Sequence, residues 1–550
     1  MRISLTTSLF TLSSGFARMD TDSGGYVTDV AYLHGYYPSM APAAIRYAAS
    51  LYGGCSKPLG HGHAFLELGC GFGETLLTLA ASNPDVHFTG VDFLPEHIDH
   101  IQQVASAAGL DNVSAHCCDF AEFRSSLLSY DVITLHGVWS WVSPELRKTI
   151  LKLISRHLAD DGLVQVSYNS MPGWSSLLPV RGLMRHFANT ASGDSVAKAK
   201  AAFAKITAMR KADTSLFRDH PLAAELVDNL RQHDPRYIAH EYLNEHWAAF
   251  NAAEVMQSFA DAGLHYRARL PFSRNHWQLM ADAEFAEDFS DANAATLETR
   301  KDYHANTMFR WDIYAKQPRQ VFSNAQRAKD TRDLFFRAAT NASLPHVVRI
   351  GHKEVGIAGP PHDRLLEVMG DRSWTLASLL EHPQLSAFSP EQITEAVDYA
   401  VALSLFRVEG GPVSVHSQQD AANTQGEIRG GDLTVPMLYN RHLLSAVVPQ
   451  GKTVALASTC LRQGHAIGDL HALMLHDLTS NGCHGLEVRV AGRLEKMGKH
   501  LTHHQTGRTV TEEADVVAAL AEIAQPFFAD VVPELLRTGI LERGQSRDIR

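Results

Sequence analysis

Phe65-Leu66-Glu67-Leu68-Gly69-Cys70-Gly71-Phe72-Gly73-Glu74 decides the fold. The apolar run reads as a buried strand, the glycines as a turn, and Glu74 as the first turn of a helix. Glycine has no Cβ, so such a turn lets a ligand press against backbone. The spacing is G-x-G-x-G, whereas the dinucleotide pattern G-x-G-x-x-G would put its third glycine at position 74. Glu74 stands there instead, a carboxylate where a pyrophosphate would sit. Two anions at one helix end repel, so NAD or FAD is disfavoured. A donor with a cationic sulfur and no phosphate, S-adenosylmethionine, suits an acidic glycine turn.

The flanking sequence agrees. Val86 to Asp92 alternates into a second strand ending on an acid, about 20 residues past the turn, where an acid meets ribose hydroxyls in this fold type. Pro95 opens a helix running to Gly109. Asn112 to Cys118 is a third strand, followed by Asp119-Phe120, an acceptor beside a ring placed to hold an adenine. Tyr130 to Leu135 is a fourth strand and Leu163 to Tyr168 a fifth. Helical segments between strands imply crossovers and a parallel sheet. The ligand edge then carries Gly69, Asp92, Asp119 and His136 beyond the carboxyl ends of the strands.

Composition narrows the function. The chain has 550 residues, with 49 basic against 60 acidic side chains and a formal charge of −11. That argues against a nucleic-acid groove. Lys198, Lys200, Lys205, Arg210 and Lys211 read as the solvated face of a helix whose apolar side is Val196, Phe203, Ile206 and Met209. The six cysteines show no metal spacing, and Cys117-Cys118 reads as buried filler of the third strand. Free thiols suit the cytoplasm. No H-E-x-x-H groups the histidines, so no metal is expected. No run of about 18 apolar residues occurs, so no membrane segment is expected. Met1 to Ala17 imitates a signal peptide only weakly because of its Ser/Thr content, and Met19 as the working start is the plainer reading.

The sequence divides into an N-terminal extension (1–24), a core (25–174), a helical insertion or regulatory region with the last strands of the sheet (175–300), and a C-terminal region (301–550). Asn169-Ser170-Met171-Pro172-Gly173-Trp174 leads into the insertion, which would cap the ligand edge over residues 175–250. Within it His240-Glu241-Tyr242-Leu243-Asn244 brings polar groups near the cleft, although ordinary helix capping accounts for them equally well. A helix and strand pair closing the sheet is expected from Ala253 to Leu270. Further on, residues 360–440 read as helix, helix, strand. That is a winged-helix-like order, with Ser389-Pro390-Glu391-Gln392 opening the longer helix. It lacks a dense basic face, so protein contact is favoured over DNA. Residues 417–432 are polar and glycine-rich, a loop.

With these motifs in place, the chain resembles bacterial class I methyltransferases that carry a methyltransferase regulatory domain, relatives of the rickettsial protein lysine methyltransferases. The resemblance rests on Gly35-Tyr36-Tyr37-Pro38, Leu66-Glu67-Leu68-Gly69-Cys70-Gly71, His136-Gly137-Val138-Trp139-Ser140-Trp141-Val142, Ser167-Tyr168-Asn169-Ser170-Met171-Pro172-Gly173-Trp174 and His240-Glu241-Tyr242-Leu243. It implies a Rossmann-like seven-stranded sheet with a helical cap and an α+β C-terminal region. It also implies S-adenosyl-L-methionine held by Glu67, Gly69, Gly71, Gly73, Asp92, Phe93, Asp119 and Phe120. A homodimer is suggested by resemblance alone.

Methyl transfer is an in-line displacement, so the protein must align acceptor and methyl and exclude water. A lysine acceptor must lose a proton whose pKa is ordinarily about 10.4, and a dry aromatic pocket assists. His136 and Tyr168 are the candidate catalytic groups, His136 as general base. Trp139, Trp141, Asn169 and Trp174 are the candidate substrate pocket, against the plainer reading of the tryptophans as core. Tyr26, Tyr32, Tyr36 and Tyr37 are placed to close the cofactor site, or simply to pack. No Asn/Asp-Pro-Pro-Tyr/Phe follows the fourth strand, which argues against nucleobase methylation. Three functions stand: protein side-chain methylation with lysine first, the same chemistry on a small molecule or glycan precursor, and a non-catalytic S-adenosylmethionine-binding interaction protein.

Overall fold

The computed structural model describes residues 3–7, 29, 35–52, 60–231, 233–290, 293–320, 322–339, 347–350, 353–356, 359–370, 372–413, 428–447, 449, 451, 453–503 and 509–544. Its centre is one seven-stranded sheet. The strands are β1 (Ala64–Leu68), β2 (His87–Asp92), β3 (Val113–Cys117), β4 (Tyr130–Leu135), β5 (Leu158–Asn169), β6 (His265–Leu270) and β7 (Phe309–Ala315). They lie in the order β3-β2-β1-β4-β5-β7-β6. The first five run parallel, and β7 runs antiparallel to both its neighbours. This is the class I methyltransferase sheet. Strand order reverses between β1 and β4, and the crevice beyond their carboxyl ends is where such a sheet binds ligands.

The connecting helices follow their local chemistry. α1 (Glu74–Ser82) starts on Gly73, whose φ of 76° is left-handed. A Cβ there would lie 2.5 Å from Ile101 of α2 (Pro95–Ala108), so this glycine lets the two helices approach. α2 has proline in its first turn and ends on Gly109 at φ 65°. α3 (Pro144–His157) is capped by Ser143, whose Oγ accepts the Leu146 N–H at 3.1 Å.

Three expectations change. The sheet ends on Phe309–Ala315, past the boundary placed at 300. The alternation Phe309-Arg310-Trp311-Asp312-Ile313 fits a strand, and it pairs with β5 so that Phe309 faces Asn169 and Trp311 faces Ser167. Cys117 is exposed and Cys118 half-buried, because β3 is an edge strand with one side open. Ile3–Thr7, read as part of a leader-like extension, is a strand paired antiparallel with Lys499–His503. Tyr26 and Tyr32 lie outside the described residues, as does most of the loop 417–432.

Helices Leu178–Asn189, Ser195–Lys211, Pro221–Leu230 and Pro235–Leu243 form a cap with its own core, in which Met184, Ile206, Val227 and Tyr242 are buried. In the C-terminal half, Phe335–Ala338 pairs with Trp374–Thr375 and Phe406–Glu409. A hairpin of Thr453–Ser458 and Gln463–Gly468 lies against α1. There Tyr439 Oη and Thr78 Oγ1 are 2.9 Å apart, and the Gly464 N–H donates to Tyr36 Oη at 2.9 Å. Among the described residues one helical stretch, Glu513–Arg537, is long and apolar enough to cross a membrane by length and composition. Leu520, Phe527 and Leu535 of this stretch are buried in the C-terminal core.

Alternation along β5 and β7 splits the sheet's last strands between two tasks. One face turns Tyr168, Arg310 and Asp312 into a buried ion network with Arg269, Glu298, Lys301 and Asp302. Arg310 reaches Glu298 at 3.0 Å, Asp302 at 2.7 Å and Asp312 at 2.8 Å. Burial alone would raise the Glu298 pKa, but Lys301, Arg269 and Arg310 hold it well below the usual carboxylate range. Three cations balance three carboxylates, so removing one cation strands buried charge. Arg310→Met is therefore expected to lower unfolding stability by about 3–5 kcal/mol, read as a lower urea midpoint.

Candidate active site

The glycine turn is held by one carboxylate. Asp92 Oδ2 accepts the Gly71 N–H at 3.0 Å, and Oδ1 accepts the Leu94 N–H at 3.0 Å and faces His97 Nδ1 at 3.1 Å. The Gly69 and Cys70 N–H groups donate to the Val91 carbonyl at 2.8 and 3.2 Å. The ends of β1 and β2 are thereby clamped together, with Gly69 at φ 74° and Gly71 at φ 53°. A Cβ on Gly69 would lie 2.5 Å from Val138, while Gly71 faces open space.

Above this turn lies a cavity of about 250 Å³. It collects the carboxylates of Glu67, Glu74, Asp92, Asp119 and Glu241, and the rings of Phe72, Phe93 and Phe120. Tyr37, His136, Trp141 and Phe309 line it as well. Among the described residues no lysine or arginine lines it. Glu67 is buried, its Oε2 has no hydrogen-bond partner within the protein, and burial followed by repulsion from Glu74 and Asp92 raises its pKa well above the usual range. An unpaired buried carboxyl group in an acidic cavity calls for a cation.

S-adenosylmethionine fits this set of residues. It brings a cationic sulfur, an ammonium group and no phosphate. Glu67 and the other carboxylates match the cations, the Gly69–Gly71 turn offers close backbone approach, and Asp119 and Phe120 provide an acceptor beside a ring. Asp92 already accepts three protein contacts of roughly four available to a carboxylate, so it has about one left for a ribose hydroxyl. Bound there, the cofactor supplies a sulfonium-bound methyl group for in-line transfer.

The expected residues divide. Glu67, Gly69, Gly71, Asp92, Phe93, Asp119, Phe120, His136, Trp141, Tyr168 and Asn169 line the cavity. Gly73 does not; it serves helix packing. Trp139 is 2% exposed against Phe259 in the core beside the sheet, and Trp174 packs on Trp247 and Tyr242 inside the cap. Both are structural. Tyr168 turns its hydroxyl away from the cavity and donates it to Asp312 Oδ2 at 2.5 Å, where burial and then Asp312 raise its pKa. Its phenol belongs to the ion network rather than to a reacting group.

His136 is placed at the site but not as expected. The Gly137 N–H donates to Ser167 Oγ at 2.8 Å, so the Ser167 hydroxyl is turned toward His136 Nδ1, also at 2.8 Å. Trp311 Nε1–H donates to the same Nδ1 at 3.3 Å. The indole N–H can only donate, so Nδ1 is the acceptor and the neutral ring carries its proton on Nε2. Burial lowers the pKa to about 4. A ring with Nδ1 occupied and Nε2 protonated is a donor, not a ready base. It packs 3.9 Å from the Tyr37 ring and parallel to Trp311 at 6.2 Å, centroid to centroid.

Sequence reasoning missed Phe309 and Trp311. Their signal was the alternation after Met308, hidden by the boundary set at 300. Tyr37, which the sequence left between closing the cofactor site and packing, lines the cavity, and its backbone N–H donates to Thr75 Oγ1 of α1 at 3.0 Å.

Comparison with known proteins agrees with this geometry. Residues 65–162 match the methyltransferase domain family, and residues 234–316 match a family described as a predicted methyltransferase regulatory domain. An uncharacterised protein of Synechocystis is 24% identical over 520 residues, covering 94% of this chain and 99% of that protein. An uncharacterised protein of Rickettsia prowazekii is 28% identical over 225 residues, covering 38% of this chain and 40% of its own. The structure of PKMT2 from Rickettsia typhi in complex with AdoHcy superposes with a TM-score of 0.66 at 15% identity, covering 92% of this chain and 99% of that one. The fold and the cavity define a class I methyltransferase domain. The chain is an S-adenosylmethionine-dependent methyltransferase carrying a methyltransferase regulatory domain, and that domain supplies Glu241 and Phe309 to the cavity.

The histidine geometry has a pH consequence. An unfolded histidine titrates near about 6.5 and folded His136 near about 4. Between these values the unfolded chain binds the extra proton, so this group's contribution to stability is present above about pH 6.5 and falls as pH drops toward 4. Ring-nitrogen NMR is expected to show His136 neutral, protonated on Nε2, down to about pH 5.

Proposed function

We propose that this enzyme methylates lysine side chains of proteins in the cytoplasm. The observation that carries this reading is the cavity itself. Tyr37, His136, Trp141 and Phe309 form aromatic walls beside carboxylates, with no lining lysine or arginine among the described residues. Aromatic faces and carboxylates favour a cationic side chain on binding, and exclusion of water lowers the cost of its losing a proton. Glu67, Gly69, Gly71, Asp92, Phe93, Asp119 and Phe120 hold the donor on this reading, with Trp141 and Asn169 on the acceptor side. The likeness to a rickettsial protein named PKMT2 points the same way. The winged-helix-like region over 360–440 would serve as the contact for a protein acceptor.

The small volume of the cavity, about 250 Å³, favours a second reading in which the acceptor is a small amine. Incubating the purified chain with methyl-labelled S-adenosylmethionine and a cell lysate separates the two. The proposal expects label in acid-precipitated protein, recovered on hydrolysis as methylated lysine. Label confined to the acid-soluble fraction would transfer the assignment to a small molecule.

A further inference from the structure

Gly35 and Tyr37 line the donor cavity, and Tyr36 between them does not. The backbone at Tyr37 is extended, with φ −113° and ψ 96°, and in extended chain successive side chains point to opposite sides. Tyr36 is thereby turned away from the cavity. Its hydroxyl accepts the Gly464 N–H at 2.9 Å, from a residue 428 positions further along the chain. One residue on, the Tyr37 N–H donates to Thr75 Oγ1 of α1 at 3.0 Å. The segment is thus tied at two successive residues, once to the C-terminal hairpin and once to the helix that leaves the glycine turn.

The fit at Gly464 is close. A Cβ there would lie 2.7 Å from Tyr36 Cζ and 2.7 Å from Thr78 Cγ2, so glycine lets the hairpin backbone reach the phenol and α1 together. The hairpin has other holds on the end of α1. The Ser458 N–H donates to Ser82 Oγ at 3.2 Å, the Asn83 side chain donates to the Arg462 carbonyl at 3.0 Å, and Arg462 pairs with Asp85 at 2.7 Å. The hairpin is therefore a base fixed without Tyr36, and it is the segment that depends on the Gly464 contact. What the segment carries belongs to the site, since the Tyr37 ring packs 3.9 Å from the His136 ring, centroid to centroid.

We propose that Tyr36 is a positioning residue of the donor site: its hydroxyl, held by the Gly464 N–H of the C-terminal hairpin, keeps Gly35 and Tyr37 against the cavity, so that the C-terminal half helps retain the methyl donor. The proposal rests on the cofactor cavity and is independent of the acceptor. A segment tied at both residues excludes water and keeps the bound donor aligned. Without the Tyr36 hydroxyl, the segment keeps only its tie to Thr75, and donor binding must supply the ordering that the hairpin otherwise provides. That ordering is read as weaker donor affinity. The C-terminal half thereby acquires a task at a cavity to which it gives no lining residue among those described.

The test uses the full chain, titrated with S-adenosylhomocysteine by calorimetry and followed by amide hydrogen exchange. Tyr36→Phe removes the hydroxyl alone and is expected to weaken binding about fivefold, the size of one neutral hydrogen bond. Gly464→Ala, which crowds the same contact, is expected to weaken it at least as much. In ligand-free Tyr36→Phe the Tyr37 amide should exchange faster by a similar factor, about fivefold, while the amides of β1 and β2 keep their wild-type rates. Asp85→Ala serves as the control: it removes the hairpin's ion pair, leaves the Tyr36 hydrogen bond, and is expected to keep affinity within about twofold of wild type. Affinity within that range in a folded Tyr36→Phe variant, or an unchanged Tyr37 exchange rate, overturns the assignment. An equal loss in Asp85→Ala reduces the effect to hairpin docking and also overturns it. Absence of S-adenosylhomocysteine binding by wild type would instead remove the reading of the cavity itself.

Discussion

Everything at this site depends on the Asp92 carboxylate gripping the glycine turn. Four backbone N–H groups are arranged around the end of β2, those of Gly71 and Leu94 on the Asp92 carboxylate and those of Gly69 and Cys70 on the neighbouring Val91 carbonyl. Without that clamp a left-handed turn of three glycines would be an entropic liability, because glycine loses more freedom on folding than any other residue. With it, the backbone stays open where a ligand must approach. The acidity of the surrounding residues then decides which ligand that is. Five carboxylates line one cavity with no lining lysine or arginine among the described residues, which favours a ligand that carries positive charge.

A second constraint comes from the far side of the sheet. β7 returns antiparallel between β5 and β6, and its alternation gives the cavity Phe309 and the ion network Arg310 and Asp312. The aromatic wall is therefore only as well placed as the network behind it. A third support comes from the C-terminal half, where Tyr439 of helix Leu438–Ala446 meets Thr78 of α1 and the hairpin holds Tyr36 through the Gly464 N–H, so that half bears on the helix that starts at the glycine turn. Three separate stretches of chain thus converge on one cavity.

The core of this arrangement was legible in the sequence because its signals are local. A glycine turn between an apolar run and a helix, an acid at the end of the next strand, and an acid–aromatic pair after the third can be read within a short window. What could not be read is non-local or orientational. Phe309 and Trp311 matter because they pair with Asn169 and Ser167 across the sheet, a register no short window contains. Trp139 and Trp141 sit two residues apart after Gly137, whose φ is 67°, and that turn sends Trp139 into the core and Trp141 to the cavity. Tyr168 was placed on the right strand, but alternation turns its ring to the opposite face from Ser167. His136 was found, yet its role as a donor follows only from the two hydrogen bonds that converge on Nδ1.

The central claim is that this cavity holds a sulfonium methyl donor, and calorimetric titration of the full chain with S-adenosylhomocysteine tests it most directly. The account predicts one molecule bound per chain, at least tenfold weaker binding in Asp92→Ala, and no binding of NAD. Saturable NAD binding, or S-adenosylhomocysteine affinity indifferent to Asp92, would contradict it.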